Sequence, residues 1–496
     1  MNSSAAPPDA PPLMPLSPWV FNLGVPLGFG AIALLLMPLA TMFQFDSDEG
    51  QEMVKALLYN QGYPLSTIWS DQPPLLTVTL AAWLRVWGDS IMAGRSLILG
   101  FSMVLVWAFA QVLRRAVGDR FALLGTGLLI LTANFLRLSV SVMIGMPSLA
   151  CLILSLYAIV RYHESQRWYW VAIAGLTAAL SLQYKMFTIL LLPLWGLYLW
   201  AGGAALSWQA WWEHHRWGRL LLWGGCLGLA FLGLEWLWGM SLDDAFLFHV
   251  QGDLKAAFVQ EHSLRDVALF YAQELDHVGL ACFGIMAQVR RSRRQPAQLN
   301  TLPLLWLLWV TVFLINHKPI WYHHALLITL PLVWLATLGL KICWTTLHQR
   351  AQGWQQVSWP WVAIAFVLVA IPVKLTLLHL NNHDLLQRGA AYRGAIAQLQ
   401  AEQPAPDAWF FTDIPIYSLY THRNIPPEIA TLSRKRIAAQ DFTAAQLRDL
   451  IETYDLQQFL IGRFPIVEDF LRQLYPDRLT TTDYPTVRYY HLQRDP

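Results

Sequence analysis

The stretch FDSDEGQEM, residues 45–53, follows directly on the first long apolar run and sets Asp46, Asp48 and Glu49 where a membrane helix emerges into water. Carboxylates are costly inside hydrocarbon and repel one another at its edge, so acids clustered beside a span point to chemistry at a membrane surface. Some twenty residues further on, IWSDQPPLLT (68–77) adds another acid, Asp71, ahead of a rigid Pro pair.

Composition around these segments sets the class. Of 496 residues 55% are hydrophobic and only 13% charged, and 25 are Trp, the proportions of a chain solvated chiefly by lipid. The expected fold is mainly α, a polytopic membrane protein. Cys151, Cys226, Cys282 and Cys343 fall in or near apolar runs without paired spacing. That argues against a disulfide framework or a thiolate metal site and leaves a packing role. A net charge of +2 carries no footprint for nucleic acid, and no nucleic-acid partner is expected. Residues 1–18, rich in Pro, Ala and Ser and lacking Lys and Arg, do not have the pattern of a cleaved signal peptide and are expected to be disordered.

Apolar runs of bilayer-spanning length begin near residues 20, 93, 119, 146, 168, 186, 219, 267, 301, 322 and 357, which predicts about eleven transmembrane helices. Pro73–Gly88 is apolar too, but it opens on Pro-Pro and carries Arg85, so it is expected to lie on the membrane surface. With the N-terminus inside, the basic clusters Arg114/Arg115/Arg120, Arg161/Arg167, Arg216/Arg219, Arg290/Arg291/Arg293/Arg294 and Lys341/Arg350 all fall on the cytoplasmic side. The same count places residues 44–92, the turn at 137–147, the loop at 241–266 and NHKPIWYHH (316–324) outside, so the acids and histidines share a face. The domain plan is a transmembrane unit over 19–380, with a first outer loop at 44–92 bearing surface helices. A soluble α/β unit over 381–496 follows on the outer side. In that tail DAWFFTD, QQFLIGR and VRYYHLQ read as strands, FTAAQLRDLIETY and VEDFLRQLY as helices. No Gly-rich phosphate loop occurs in it.

DSDEG heading the first outer loop, GYPLSTIWS, DQPPLL before a surface helix, Arg95 opening the second span, QYKMF and KPIWYHHALLITLPL form an ordered set. It resembles the GT-C membrane glycosyltransferases, in particular the family 39 protein mannosyltransferase-like group and the related aminoarabinose lipid A transferases. The resemblance implies a hexosyl- or pentosyltransferase of the bacterial plasma membrane. Such an enzyme moves a sugar, with inversion, from a polyprenyl-phosphate carrier to a lipid, glycan or protein acceptor at the outer face. A carboxylate at the lipid–water boundary can take the acceptor's proton or hold a divalent cation, which makes Asp46 and Asp48, with Glu49, the catalytic candidates. Asp46 and Asp48 are also the ligands of a metal, if one is used. The leaving phosphate needs cationic donors in a poorly hydrated site, and Lys185, His317, Lys318, Tyr322, His323 and His324 lie on the expected side. Asp71 and His249 complete the substrate-binding candidates.

Each residue type also has a plain structural use. Asp46 and Asp48 suit the N-terminus of a helix over EGQEMVKALLYN, Asp71 before Pro-Pro suits a turn, and Lys185 at a span end suits snorkelling. His323 and His324 are adjacent, so on a helix they face different ways. Two positions depart from the family pattern: SVSVMIGMPSLA has Gly145 where a second acid is usual, and Gln72 stands where Lys is common. A two-carboxylate metal site of the oligosaccharyltransferase type is thereby put in doubt, and a non-catalytic descendant of the fold stays open. A transporter or flippase of lipid-linked sugars is the competing function. It predicts ionisable groups deep inside spans, whereas the sequence places them at one surface, with no internal repeat.

Overall fold

Each apolar run becomes a helix near its expected start, because backbone polar groups in lipid are satisfied only within the helix itself. The computed structural model describes residues 16–201, 214–239, 262–292, 299–350, 359–401 and 408–493. Among these, Ile91–Val117, Gly145–Ser165, Arg216–Trp238, Tyr322–Leu347 and Trp359–Ala401 are long and apolar enough to cross a bilayer. Val20–Leu36, Leu75–Trp87, Met186–Ala201, Leu275–Met286 and Leu302–Asn316 are shorter apolar helices. Asp119–Ile130 has 12 residues, about 18 Å of rise. Residues 1–15 lie outside the described residues, but Leu16, within the segment expected to be disordered, is tied by its backbone N–H to Asp119 Oδ2 at 2.8 Å.

Without a hydrophobic drive between helices in lipid, small residues decide which helices meet. The helices Leu275–Ser292 and Tyr322–Leu347 approach so closely that a Cβ on Gly339 would lie 1.9 Å from the Leu280 carbonyl oxygen. One on Gly284 would lie 2.2 Å from that of Leu335.

The span expected from residue 267 is not continuous. It breaks between Ser263–Gln273 and Leu275–Ser292, and at the break Glu274, Asp276 and His277 are buried. Lys374, from the long helix Trp359–Ala401, reaches Glu274 and Asp276 at 2.7 Å each. His277 Nδ1 lies 3.0 Å from both acids. The expectation that ionisable groups gather only at one surface is therefore corrected. Their charges oppose one another in a closed cluster, and Lys374 occupies the place a cation would take, so the group reads as a clasp between two apolar helices.

The helix Trp359–Ala401 runs unbroken through residue 381, where the sequence suggested the soluble unit begins. Beyond it lies a four-stranded sheet, β1 (Phe411–Thr412), β2 (Gln458–Ile461), β3 (Leu479–Asp483) and β4 (Arg488–Leu492), in the order β1-β2-β4-β3. β1 and β2 are parallel, and the other pairs are antiparallel. β3 escaped the sequence reading because RLTTTD is polar and its strand is largely exposed. Ala444–Tyr454 opens on a capping box between Thr443 and Gln446, and Pro465–Leu474 packs Val467 and Leu471 inward.

This tail rests on the first loop. Gly50, in the helix Asp48–Asn60, touches the start of the helix Ile416–Thr421, where a Cβ would meet the Ile416 nitrogen at 2.2 Å. Trp69 N–H donates to the Pro427 carbonyl at 3.1 Å, and the Tyr420 hydroxyl to the Phe43 carbonyl at 2.8 Å.

Candidate active site

Four segments distant in sequence meet at one end of the helices: the first loop, the turn after Ile130, the junction at Lys185, and 317–324. Their contacts give the three acids of the first loop three different tasks.

Glu49 is fully buried and its two oxygens are saturated. Oε2 accepts from Phe45 N–H at 2.7 Å and Arg95 Nη2 at 2.8 Å. Oε1 accepts from Arg95 Nε at 3.0 Å and Val142 N–H at 3.1 Å. Arg95 also donates to the Leu39 and Met42 carbonyls and lies 4.6 Å over the Phe45 ring. Glu49 therefore cannot be reached by a substrate proton. Its expected catalytic place is corrected to that of an anchor holding the loop on the helix Ile91–Val117.

Asp46 starts the helix: Oδ1 accepts Asp48 N–H at 2.9 Å, an Asx-type bond. The Tyr322 hydroxyl donates to Oδ2. Arg137 stands 3.8 Å away, lies 4.8 Å over the Tyr322 ring and donates from Nε to the Phe45 carbonyl at 2.9 Å. Asp46, the residue before the Ser47 N-cap, thus accepts the first N–H of the helix, and Tyr322 meets an acid.

Asp48 is the acid left available. Its carboxylate makes one long hydrogen bond among the described residues, from Ser47 Oγ at 3.4 Å. Desolvation first, then the negative charge of Asp46, pushes its pKa up to about 7; Glu52 adds to the rise, while Arg463 and Lys185 oppose it. Glu52 stands one turn on, with one oxygen on Lys55 at 2.8 Å and the other enclosed without a partner.

Opposite lies the basic side. Lys185 ends the helix Tyr169–Tyr184 in extended conformation, and its amine donates to His323 Nε2 at 2.9 Å. Because the amine donates, His323 Nε2 is the acceptor and the ring proton sits on Nδ1. His324 turns away and stacks on Phe187, centroids 4.5 Å apart, as adjacency predicted. The His317 ring packs against Phe187 and Phe313 at 5.0 and 5.5 Å. Asp71 is half-buried and close enough to act on the charges of Lys185 and Arg436. Lys318 is half-buried in the same segment. His249 lies outside the described residues.

Sequence reasoning missed Arg137, Glu52, Lys435 and Arg463. Glu52 was legible in principle, since i and i+4 share a helix face. The tail residues carried no such signal. Around Asp46 and Asp48 no three metal-type ligands come within reach of one another among the described residues. Asp46's oxygens are engaged by a hydroxyl and a backbone N–H. Among the described residues the only group of three metal-type ligands within reach of one another is Glu274, Asp276 and His277.

Long apolar helices, a first loop of surface helices with acids at its head and an α/β tail seated on that loop make up the GT-C architecture, that of a polytopic integral membrane protein. Solved structures agree in fold. ArnT from Cupriavidus metallidurans bound to undecaprenyl phosphate has a TM-score of 0.66 at 14% identity, covering 94% of this chain and 97% of that one. The oligosaccharyltransferase of Archaeoglobus fulgidus in the apo form gives 0.55 at 12% identity, covering 89% of this chain and 70% of that one. The likeness to both structures is one of fold. In sequence, residues 71–208, a span that includes Asp71 and Lys185, match the family described as dolichyl-phosphate-mannose-protein mannosyltransferase. No curated protein matches the chain.

Proposed function

We propose that this protein transfers a sugar from a polyprenyl-phosphate carrier to an acceptor hydroxyl on the outer face of a bacterial plasma membrane, with Asp48 as general base. The acceptor O–H gives its proton to the Asp48 carboxylate as its oxygen bonds to the anomeric carbon. The bond from that carbon to the phosphate oxygen breaks on the opposite side, so configuration inverts and polyprenyl phosphate leaves. The single observation that carries this reading is the pairing, in one cluster, of a weakly bonded carboxylate tuned to about 7 with a Lys185–His323 pair 2.9 Å apart. A base near neutral pKa and a cation for the departing phosphate are what the chemistry asks for.

An apolar groove of about 710 Å³, lined by Ile189, Leu192, Leu197, Trp200 and Trp223 among others, begins four residues beyond Lys185. It runs along Met186–Ala201 and suits an isoprenoid chain whose phosphate sits at Lys185. ArnT, of the same fold, binds undecaprenyl phosphate, and the same class of carrier is proposed here. The proposed transfer uses no divalent cation, since both Asp46 oxygens already accept, from Asp48 N–H and the Tyr322 hydroxyl.

Lys185 decides between anchoring the carrier and snorkelling. A Lys that only snorkels contributes its apolar stem, and Lys185→Met would leave donor binding unchanged. A phosphate contact is a charge-assisted hydrogen bond, and its loss is expected to cost about 1.5–3 kcal/mol. Binding of undecaprenyl phosphate to purified wild type and Lys185→Met in the same detergent checks this. Equal affinity with equal turnover would remove Lys185 from the site.

The orientation is tested by impermeant thiol labelling of Ser66→Cys and Thr453→Cys, both exposed positions, in intact cells made cysteine-free elsewhere in this chain. Both are expected to react from outside. Protection of either site until the cells are opened would reverse the proposed topology.

A further inference from the structure

We infer that the C-terminal domain supplies a phosphate-binding residue to the membrane site: Arg463 contacts an anionic phosphate oxygen there, and Asp413 positions it. This rests on the glycosyl-transfer reading above.

The local fold leads to Arg463 first. β1 and β2 are adjacent parallel strands. Asp413 follows the carboxyl end of β1 and Gly462–Phe464 that of β2, the crevice in which α/β sheets hold ligands. Asp413 is fully buried and spends its carboxylate on three backbone donors: Gly462 N–H at 2.9 Å, Arg463 N–H at 2.8 Å and Phe464 N–H at 2.7 Å. A buried acid that binds three successive N–H groups freezes the backbone of that loop. Those bonds go to the backbone and not to the guanidinium itself, though the two charges act on each other.

The guanidinium is then left wanting. Its Cζ lies 5.1 Å from the Phe464 ring, but Nη1 is enclosed and has no hydrogen-bond partner. A buried donor without an acceptor carries its full desolvation cost, and such groups in native proteins are usually completed by a ligand or water. Arg463 acts on the charge of Asp48, which places it at the site and not on a remote face of the tail. Lys435 joins it, acting on Lys185, His323 and His324.

The tail is also seated firmly enough to contribute. Besides the contacts at Gly50, Trp69 and Tyr420, Arg436 lies 4.1 Å over the Trp69 ring, next to Lys435. Arg463 and Lys185 thus approach Asp48 from two domains, with Lys435 acting on Lys185. Such a cationic surround suits a phosphate, which Arg binds through its planar fork. The phosphate is that of the carrier or one borne by the acceptor, and the two sources are separable.

The experiment uses the full chain in detergent and two probes: undecaprenyl phosphate, and phosphatidic acid as a phosphorylated lipid without the isoprenoid. Arg463→Gln is expected to weaken undecaprenyl phosphate binding tenfold or more if the carrier phosphate is the ligand. A loss confined to phosphatidic acid assigns Arg463 to a phosphorylated acceptor. Asp413→Asn follows Arg463→Gln in direction, and Arg463→Lys gives intermediate affinity. The pH at which turnover is half-maximal rises in Arg463→Gln, because a charge opposing protonation of Asp48 is gone, an effect no purely structural role produces. Should Arg463→Gln fail to fold, Arg463→Lys carries the test, with at least threefold weaker binding expected. Wild-type binding of undecaprenyl phosphate with unchanged affinity for both lipids and an unchanged pH midpoint in the variant overturns the inference alone. Failure of the wild type to bind undecaprenyl phosphate overturns the glycosyl-transfer reading itself.

Discussion

Asp48→Asn is expected to lower sugar transfer roughly a hundredfold or more while leaving the fold and carrier binding intact, in line with loss of a general base. The amide is isosteric, and Asp48 gives the fold little through its side chain, whose one hydrogen bond is 3.4 Å long. In wild type the base must be ionised, so turnover is expected to rise with pH through about 7, the value set by desolvation and by Asp46, and to level off above it. That limb disappears in the Asn variant. Stability moves the other way. A carboxyl whose pKa is raised on folding binds its proton more tightly folded than unfolded, so its contribution is greatest below the unfolded value of about 4 and is lost as pH rises toward 7. Melting followed from pH 4 to 8 in wild type and Asp48→Asn checks the sign. The wild type should lose more stability over that range. Retention of full transfer in the Asp46→Asn/Asp48→Asn double variant would return both acids to a helix-starting role.

The second large effect is on stability. Arg95 and Glu49 are both 0% exposed, with Nη2 and Oε2 2.8 Å apart. Arg95→Met leaves Glu49 as a buried charge and strips the Leu39 and Met42 carbonyls of their donors. Breaking such a pair from one side costs about 3–5 kcal/mol. Reversible unfolding in mixed micelles is expected to show a loss of that size for Arg95→Met. Arg95→Met/Glu49→Leu should recover part of it, since removing both charges leaves none stranded. A loss below ~1 kcal/mol in the single variant would mean that water reaches the pair, as it does at exposed ion pairs. Because the pair pins the loop carrying Asp46 and Asp48, transfer should fall in Arg95→Met even where the protein remains folded.

Much of this was legible in the chain. The helices follow from apolar runs, since a bilayer leaves the backbone no other partner. The helix Leu75–Trp87 follows from a Pro pair and an apolar face, and the first-loop acids from their place beside a span. The different facing of the adjacent His323 and His324 and the place of Asp46 at a helix start were within reach of local rules.

Other features were not local. FDSDEG alone does not say that Glu49 is consumed by Arg95 and Val142, Asp46 by Tyr322, and Asp48 by nothing comparable, because the partners lie from 46 to 276 residues away. The clasp of Glu274, Asp276 and His277 on Lys374 was invisible for the same reason: the acids and the Lys sit in different apolar runs, and only packing cancels their charge. Arg463 could not be singled out among the charges of the tail until β1 and β2 were paired and the tail was seated on Gly50. The sequence by itself determined that the chain is built for lipid, where its helices run and which end bears the acids, because these depend on hydrophobicity and period along the chain. The tertiary structure alone decided which carboxylate stays available and which cations face it, because ionisation and access depend on neighbours in space.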